Sequence, residues 1–217
     1  MNVSPSKENI LKKIRKALSE STPIPFPASE GSQSVFQPQR EDLELLFASA
    51  FTHLQGKFVF CVDQQELVLR LQHLFQQESF KKVYCRESAL LKMFSGSGWD
   101  NATTDKPGDL YTCDASITTC EFLVARTGTI VMSAAQESGR TTSVYAPVHI
   151  CIASTDQLVY DVRDGLKMVK DKYGSSLPSM ITFASGPSRT ADIEKTLVVG
   201  VHGPKEVYLF LVDELGI

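Results

Sequence analysis

The sequence predicts an α/β domain built on a mainly parallel sheet covered by helices on both faces. Two patterns point there. Short runs apolar on both faces, such as Lys57-Phe-Val-Phe-Cys-Val62 and Met180-Ile-Thr-Phe-Ala184, read as buried strands. Between them lie segments with apolar residues at helical spacing, such as Leu67, Leu71, Leu74 and Phe75 within residues 64–77. Alternation of the two kinds is the signature of βαβ connections.

In chain order, residues 6–19 read as a short basic amphipathic helix with Ile10, Ile14 and Leu18 on one face. That helix suits a membrane surface, a partner, its own domain or a twin subunit. Residues 21–40 hold four prolines and read as an irregular linker, which divides the chain into a 1–40 arm and a 41–217 domain. Helices follow over residues 41–54, 64–77, 87–94, 156–172 and 191–197. Strands are expected at 57–62, 82–85, 115–118, 129–133, 149–153, 180–184 and 206–213, with a polar loop over 96–109. Residues 115–153 lack a long intervening helix, so they add antiparallel or mixed pairs to the sheet.

Composition narrows the function. Of 217 residues, 42% are hydrophobic and 22% charged, values of a globular chain able to bury a core without staples. The formal net charge of −3 argues against a nucleic-acid partner. No run approaches the ~18 apolar residues of a membrane span, and the first residues lack the apolar stretch of a secretory signal. The five cysteines are scattered without a Cys-x-x-Cys pair, which predicts reduced, buried thiols in a cytoplasmic protein and no iron–sulfur cluster on this chain. The histidines lack metal-ligand spacing, so no metal is expected.

Three segments carry candidate chemistry. The first is the loop Ser185-Gly-Pro-Ser-Arg-Thr190, read as lying between a strand and a helix. There Gly186 would admit a ligand to the backbone, Ser185, Ser188 and Thr190 would donate hydroxyls, and Arg189 would grip a carboxylate or phosphate. The same loop also reads as a plain N-cap at Thr190 supported by Glu194. The second segment is Gly200-Val-His-Gly-Pro204, whose His202 is a candidate base or donor, or simply a turn histidine. The third comprises Thr127-Gly128-Thr129 and the loop holding Gly139 and Arg140, read either as backbone donors with a second anion clamp or as an ordinary hairpin. Glu121 precedes this turn and, with Glu194, is a candidate nucleophile or base; a solvated carboxylate is the plainer reading. His149, opening an apolar strand, is placed to line the same cleft.

Taken together, Ser185-Gly-Pro-Ser-Arg-Thr-Ala-Asp-Ile-Glu194, Leu197-Val-Val-Gly-Val-His-Gly-Pro204, Thr127-Gly-Thr-Ile-Val131, Gly139-Arg140 and Pro147-Val-His149 resemble the lactate-utilisation protein C family, the LUD domain, from about residue 40 onward. The resemblance implies a fold of the sugar-phosphate isomerase and CoA-transferase group. It implies a part in oxidising L-lactate to pyruvate beside iron–sulfur partner proteins that hold the redox centres. An accessory subunit binding a small anionic ligand or those partners is the expectation. The alternative is an enzyme on a small carboxylate, phosphate or CoA ester with a glutamate nucleophile or base. A homodimer is a further candidate assembly. Many relatives carry an acidic residue just before the Thr-Gly-Thr turn, where this chain has Arg126, and a Gly-Ala-Asp run where it has Thr119-Cys120-Glu121. Arg126 reverses the local charge, which would favour an anion there.

Overall fold

The computed structural model describes residues 5–19, 42–95, 103–193 and 196–216. The chain divides into two units, residues 1–38 and 39–217. In the first, Pro5–Ser19 forms helix α1.

The second unit begins with α2 (Leu43–His53), β1 (Lys57–Asp63), α3 (Gln64–Gln77), β2 (Val83–Cys85), α4 (Ser88–Phe94) and β3 (Thr103–Thr104). A 3-10 turn leads into β4 (Ala115–Thr118), β5 (Phe122–Val124) and β6 (Thr129–Ser133). Then come α5 (Thr142–Tyr145), β7 (Val148–Ser154), β8 (Leu158–Val159), α6 (Val162–Tyr173) and β9 (Ile181–Ala184). The chain closes with β10 (Arg189–Ile193), β11 (Thr196–Val199) and β12 (Glu206–Glu214).

Six strands form a wholly parallel sheet in the order β1-β12-β7-β4-β2-β3. Their double-sided apolarity has the expected cause. One face buries Cys61, Val83, Ile117, Ile150 and Phe210 against Leu67, Leu71 and Leu90 of α3 and α4. The other buries Cys151, Ala153, Leu209 and Leu211 against Phe47 and Phe51 of α2 and against Leu123 and Ile130 of a second sheet. That second sheet is mixed, in the order β8-β5-β6-β9. Its outer face packs Phe122, Val124 and Val131 on Val169 of α6. The second face of the parallel sheet is thus covered by α2 together with a sheet, and α6 forms the next layer.

Two expected helices change form. Of the expected helix over 191–197, the described residues 191–193 and 196–197 lie instead in β10 and β11, which pair antiparallel with Arg189 opposite Val199 and Thr190 opposite Val198. Alternating β-branched residues (Thr196, Val198) compete well with a short helix of no stable length. Residues 156–172 split. Ser154 and Gln157 close a capping box, Leu158 and Val159 turn into the core as β8, and Asp161 caps the true helix by accepting from the Arg163 amide at 3.3 Å. β5 escapes the sequence pattern because its three residues are too few to show a period.

Candidate functional site

The segments 185–188 and 202–204 converge on the amino ends of β7 and β12, while Gly139 and Arg140 lie elsewhere. A cavity of about 350 Å³ is lined there by residues 185–188, by His202, Gly203 and Pro204, by His149 and Val207, and by Ser143 and Val144 of α5. Hydrogen bonds explain the convergence. The Ser188 amide donates to the Pro204 carbonyl at 2.9 Å, and the Gly200 amide to the Ser188 carbonyl at 2.9 Å, so the loop and the His202 turn are laced together. A hydroxyl relay ties in the third segment: Thr127 Oγ1 lies 2.7 Å from Thr129 Oγ1, which lies 2.7 Å from Ser185 Oγ.

The side chains inside this ring are mostly neutral. His149 is wholly buried, its Nε2 is 2.8 Å from Thr118 Oγ1, and burial pushes its pKa down to about 4, so it is an uncharged imidazole at neutral pH. Ser143, Ser185, Ser188 and Thr182 supply hydroxyls, and Met132, Pro187 and Val207 supply apolar wall. His202 is the other histidine among the described residues that line the cavity.

The arginines and glycines picked out by sequence serve other contacts. The Arg189 guanidinium donates to the Leu54 carbonyl and, at 3.3 Å, to Gln55 Oε1, just beyond α2. Gly186, at φ +80°, stands where a Cβ would come within 2.5 Å of that same Leu54 oxygen. Its permissive backbone therefore lets the loop close on α2, where the sequence suggested a ligand's approach. Arg140 Nη2 donates to Ser179 Oγ at 2.5 Å, and Gly139 takes φ +68° in the loop before α5. Thr190 sits in β10, so it caps no helix. Arg126 pairs with Asp161 at 2.6 Å, and although burial opposes it, that pairing holds the Asp161 carboxyl below its ordinary value. The reversed charge before the turn is thereby neutralised inside the fold.

Glu121 is not among the residues lining the cavity. Its buried carboxylate accepts from Ser133 Oγ at 2.5 Å, Tyr173 Oη at 2.6 Å and Lys172 Nζ at 2.8 Å. Burial alone would raise its pKa; the three donors outweigh it and hold the group below 4.5. A carboxylate so fully engaged anchors the end of α6 to the second sheet. Because its folded pKa is lowered, its stabilisation is present above pH 4.5 and lost as pH falls through the folded value. Glu121→Gln keeps the shape and loses the charge, and with Lys172 largely solvated we expect a loss of about 1–2 kcal/mol at pH 7, read as a lower urea midpoint. An unchanged midpoint would reject the anchoring role. Glu194 lies outside the described residues.

Among the residues that sequence reasoning did not connect to the site are Ser143, Val144 and Thr182, which carry no motif; Lys172 and Tyr173, the partners of Glu121 away from the cavity, escaped it too. The carboxyl ends of the parallel strands, where open α/β sheets usually take ligands, hold a separate cleft of about 730 Å³. Asp63, Asp156, Asp213 and Glu214 line it, with no basic side chain among the described lining residues, a charge that disfavours an anion. None of the described helices is long and apolar enough to cross a membrane.

Comparison with known proteins places this architecture. Lactate utilization protein C of Shouchella clausii is 34% identical over 122 residues, covering 55% of this chain and 53% of the relative. The protein of the same name from Deinococcus radiodurans is 36% identical over 105 residues, covering 48% of this chain and 49% of the relative. The chain thus spans about half the length of these curated relatives. A crystal structure of a DUF162 family protein from Deinococcus radiodurans superposes with a TM-score of 0.59 at 20% identity, over 78% of this chain and 96% of the other, a likeness of fold. The LUD domain matches residues 5–212, a span that takes in both sheets but for the last two residues of β12 and all the described residues lining the cavity, and the chain therefore belongs to the LUD domain family.

Proposed function

We propose that the chain is a component of a lactate-utilisation system, an accessory subunit that holds a small anionic ligand in the cavity at the amino ends of β7 and β12. The observation that carries this reading is the convergence of residues 185–188, His202, His149 and the Thr129 hydroxyl relay on that cavity. The names of the relatives supply the pathway. In this reading the redox centres sit in iron–sulfur partner proteins, and the five cysteines here, all buried and unpaired, are packing residues. The lining favours a small monocarboxylate over a phosphate or CoA ester, since hydroxyls and one ionisable histidine can satisfy a single carboxylate but leave a polyanion short of charge. A glutamate-based enzyme is less well supported, because Glu121 is engaged away from the cavity.

A thermal-shift screen with L-lactate, pyruvate, phosphate and CoA tests this. A ligand at a hundredfold excess over its Kd stabilises by about 2.7 kcal/mol, or roughly 5–10 °C for a chain of this size. We expect a shift with lactate or pyruvate that His202→Ala abolishes while leaving the unliganded Tm within a degree or so of wild type. A shift that survives His202→Ala would remove the cavity from the reading. Absence of any shift, together with no association with iron–sulfur partners, would remove the function.

A further inference from the structure

β1 is the outer strand of the parallel sheet: β12 pairs with one side, and no described strand pairs with the other. In a parallel pair the backbone groups of successive residues point alternately to the neighbour and away from it. The Val62 amide donates to Glu66 Oε2 at 3.0 Å instead of to β12, so the outward-pointing set is Phe58, Phe60 and Val62. The side chains of the same three residues lie on the α2 face, where Phe58 meets the Phe47 ring at 6.2 Å. Phe60 and Val62 remain 44% and 58% exposed. Leu45 on α2 and Leu69 on α3, the two helices packed against β1, are 69% and 56% exposed. An apolar edge with free backbone groups is a template for another strand, and left bare it is an aggregation hazard.

We propose that this edge pairs with β1 of a second copy of the chain, antiparallel about a two-fold axis through Phe60, joining the two six-stranded sheets into one. The strand is self-complementary in that register. Lys57 of one copy falls opposite Asp63 of the other, Phe58 opposite Val62, and Phe60 opposite its own equivalent. Opposite charges stand at both ends of the pairing, added to the contacts that Lys57 makes with Glu206 at 2.6 Å and Asp63 with the Glu66 amide at 2.8 Å in each copy, and an apolar stripe fills its centre. A parallel arrangement would set Lys57 against Lys57 and would lack the closed symmetry of an isologous dimer. The same register makes Phe58–Val62, Phe60–Phe60 and Val62–Phe58 the hydrogen-bonded pairs, which satisfies each outward backbone group. Glu66 releases the Val62 amide and keeps its second partner, Arg70, at 3.0 Å.

Light scattering and sedimentation of the full chain test the pairing. The expected mass is twice 24.0 kDa, and Phe60→Lys/Val62→Lys, which adds charge at two exposed positions, is expected to give a folded monomer by circular dichroism. Phe60→Cys offers a second readout. All five native cysteines are buried, and hydrogen-bonded antiparallel partners lie about 5.5 Å apart at Cα, within disulfide reach. Mild oxidation is expected to cross-link Phe60→Cys into a dimer and to leave Leu177→Cys, an exposed control elsewhere, uncross-linked. A monomeric wild type, a dimer that persists in Phe60→Lys/Val62→Lys, or equal cross-linking of Leu177→Cys would each overturn the proposal.

Discussion

Gly128→Ala is expected to destabilise the protein by about 3 kcal/mol, from an αL penalty of about 1–2 kcal/mol added to overpacking of similar size. The residue takes φ +57°, and an added Cβ would stand 2.5 Å from the Phe51 amide nitrogen and 2.7 Å from the Ala50 carbonyl carbon. Those atoms are helix backbone, so α2 itself would have to move, and with it Phe47 and Phe51, which fill the space between the parallel sheet and the second sheet. Chemical denaturation reads the loss directly. A Gly128→Ala protein within about 1 kcal/mol of wild type would show that the α2 contact is slack. The outcome also separates two meanings of the Thr-Gly-Thr turn, because a ligand-facing glycine would affect binding and leave the fold intact.

Acid should destabilise the protein through His149 before the contribution of Glu121 falls away. The imidazole has an ordinary pKa of 6.5 and a folded value of about 4, because it is buried with no counter-charge. The unfolded chain therefore takes up the proton first. No cost arises above pH 6.5; below it the folded state loses about 1.4 kcal/mol per pH unit, levelling off once the pH passes the folded value near 4. The total is about 3 kcal/mol. The Glu121 contribution falls away only below 4.5, so the two windows barely overlap. Unfolding free energies of wild type and His149→Gln between pH 7 and 4.5 would be compared, the glutamine being able to keep a bond to Thr118. We expect the slope of wild type to be the steeper. Parallel slopes would mean that His149 takes up its proton as readily in the fold as in the unfolded chain.

That second outcome would bear on ligand choice. A neutral His149 leaves His202 and the lining hydroxyls to meet a carboxylate, whereas a protonated His149 would add a positive charge to the cavity wall. The pH profile and the ligand screen thus constrain one another.

The motifs near the C-terminus are legible because they are dense in glycine, proline and hydroxyl residues, which mark loops whatever the fold. Their meeting place is not legible. Along the chain, residues 185–190 read as the end of a parallel strand leading into a helix, and that picture recommends Arg189 as an anion clamp. In the fold β9 is antiparallel to β6, the following residues form a hairpin, and the guanidinium faces Leu54. The clue that local spacing lacks is the position of α2, whose C-terminal turn receives Gly128, Gly186 and Arg189 from segments far apart in the chain. Glu121 fails similarly. Its partners Lys172 and Tyr173 are about fifty residues away, at the end of a helix that starts later than its apolar spacing suggests.

Local pattern was sufficient for five strands of the parallel sheet, for the helices of residues 43–53 and 64–77, and for the family, because strand apolarity, helical period and motif spacing are properties of consecutive residues; the two-residue β3 lies where a polar loop was expected. The second sheet, the hairpin of β10 and β11, the neutral cavity and the assignment of each arginine came from long-range packing. Three-residue strands have no period to read, and a side chain's charge acts on whichever distant group the fold sets beside it. Arg126 illustrates the difference: along the chain it is an unpaired cation before a turn, and in space it belongs to Asp161 at the cap of α6.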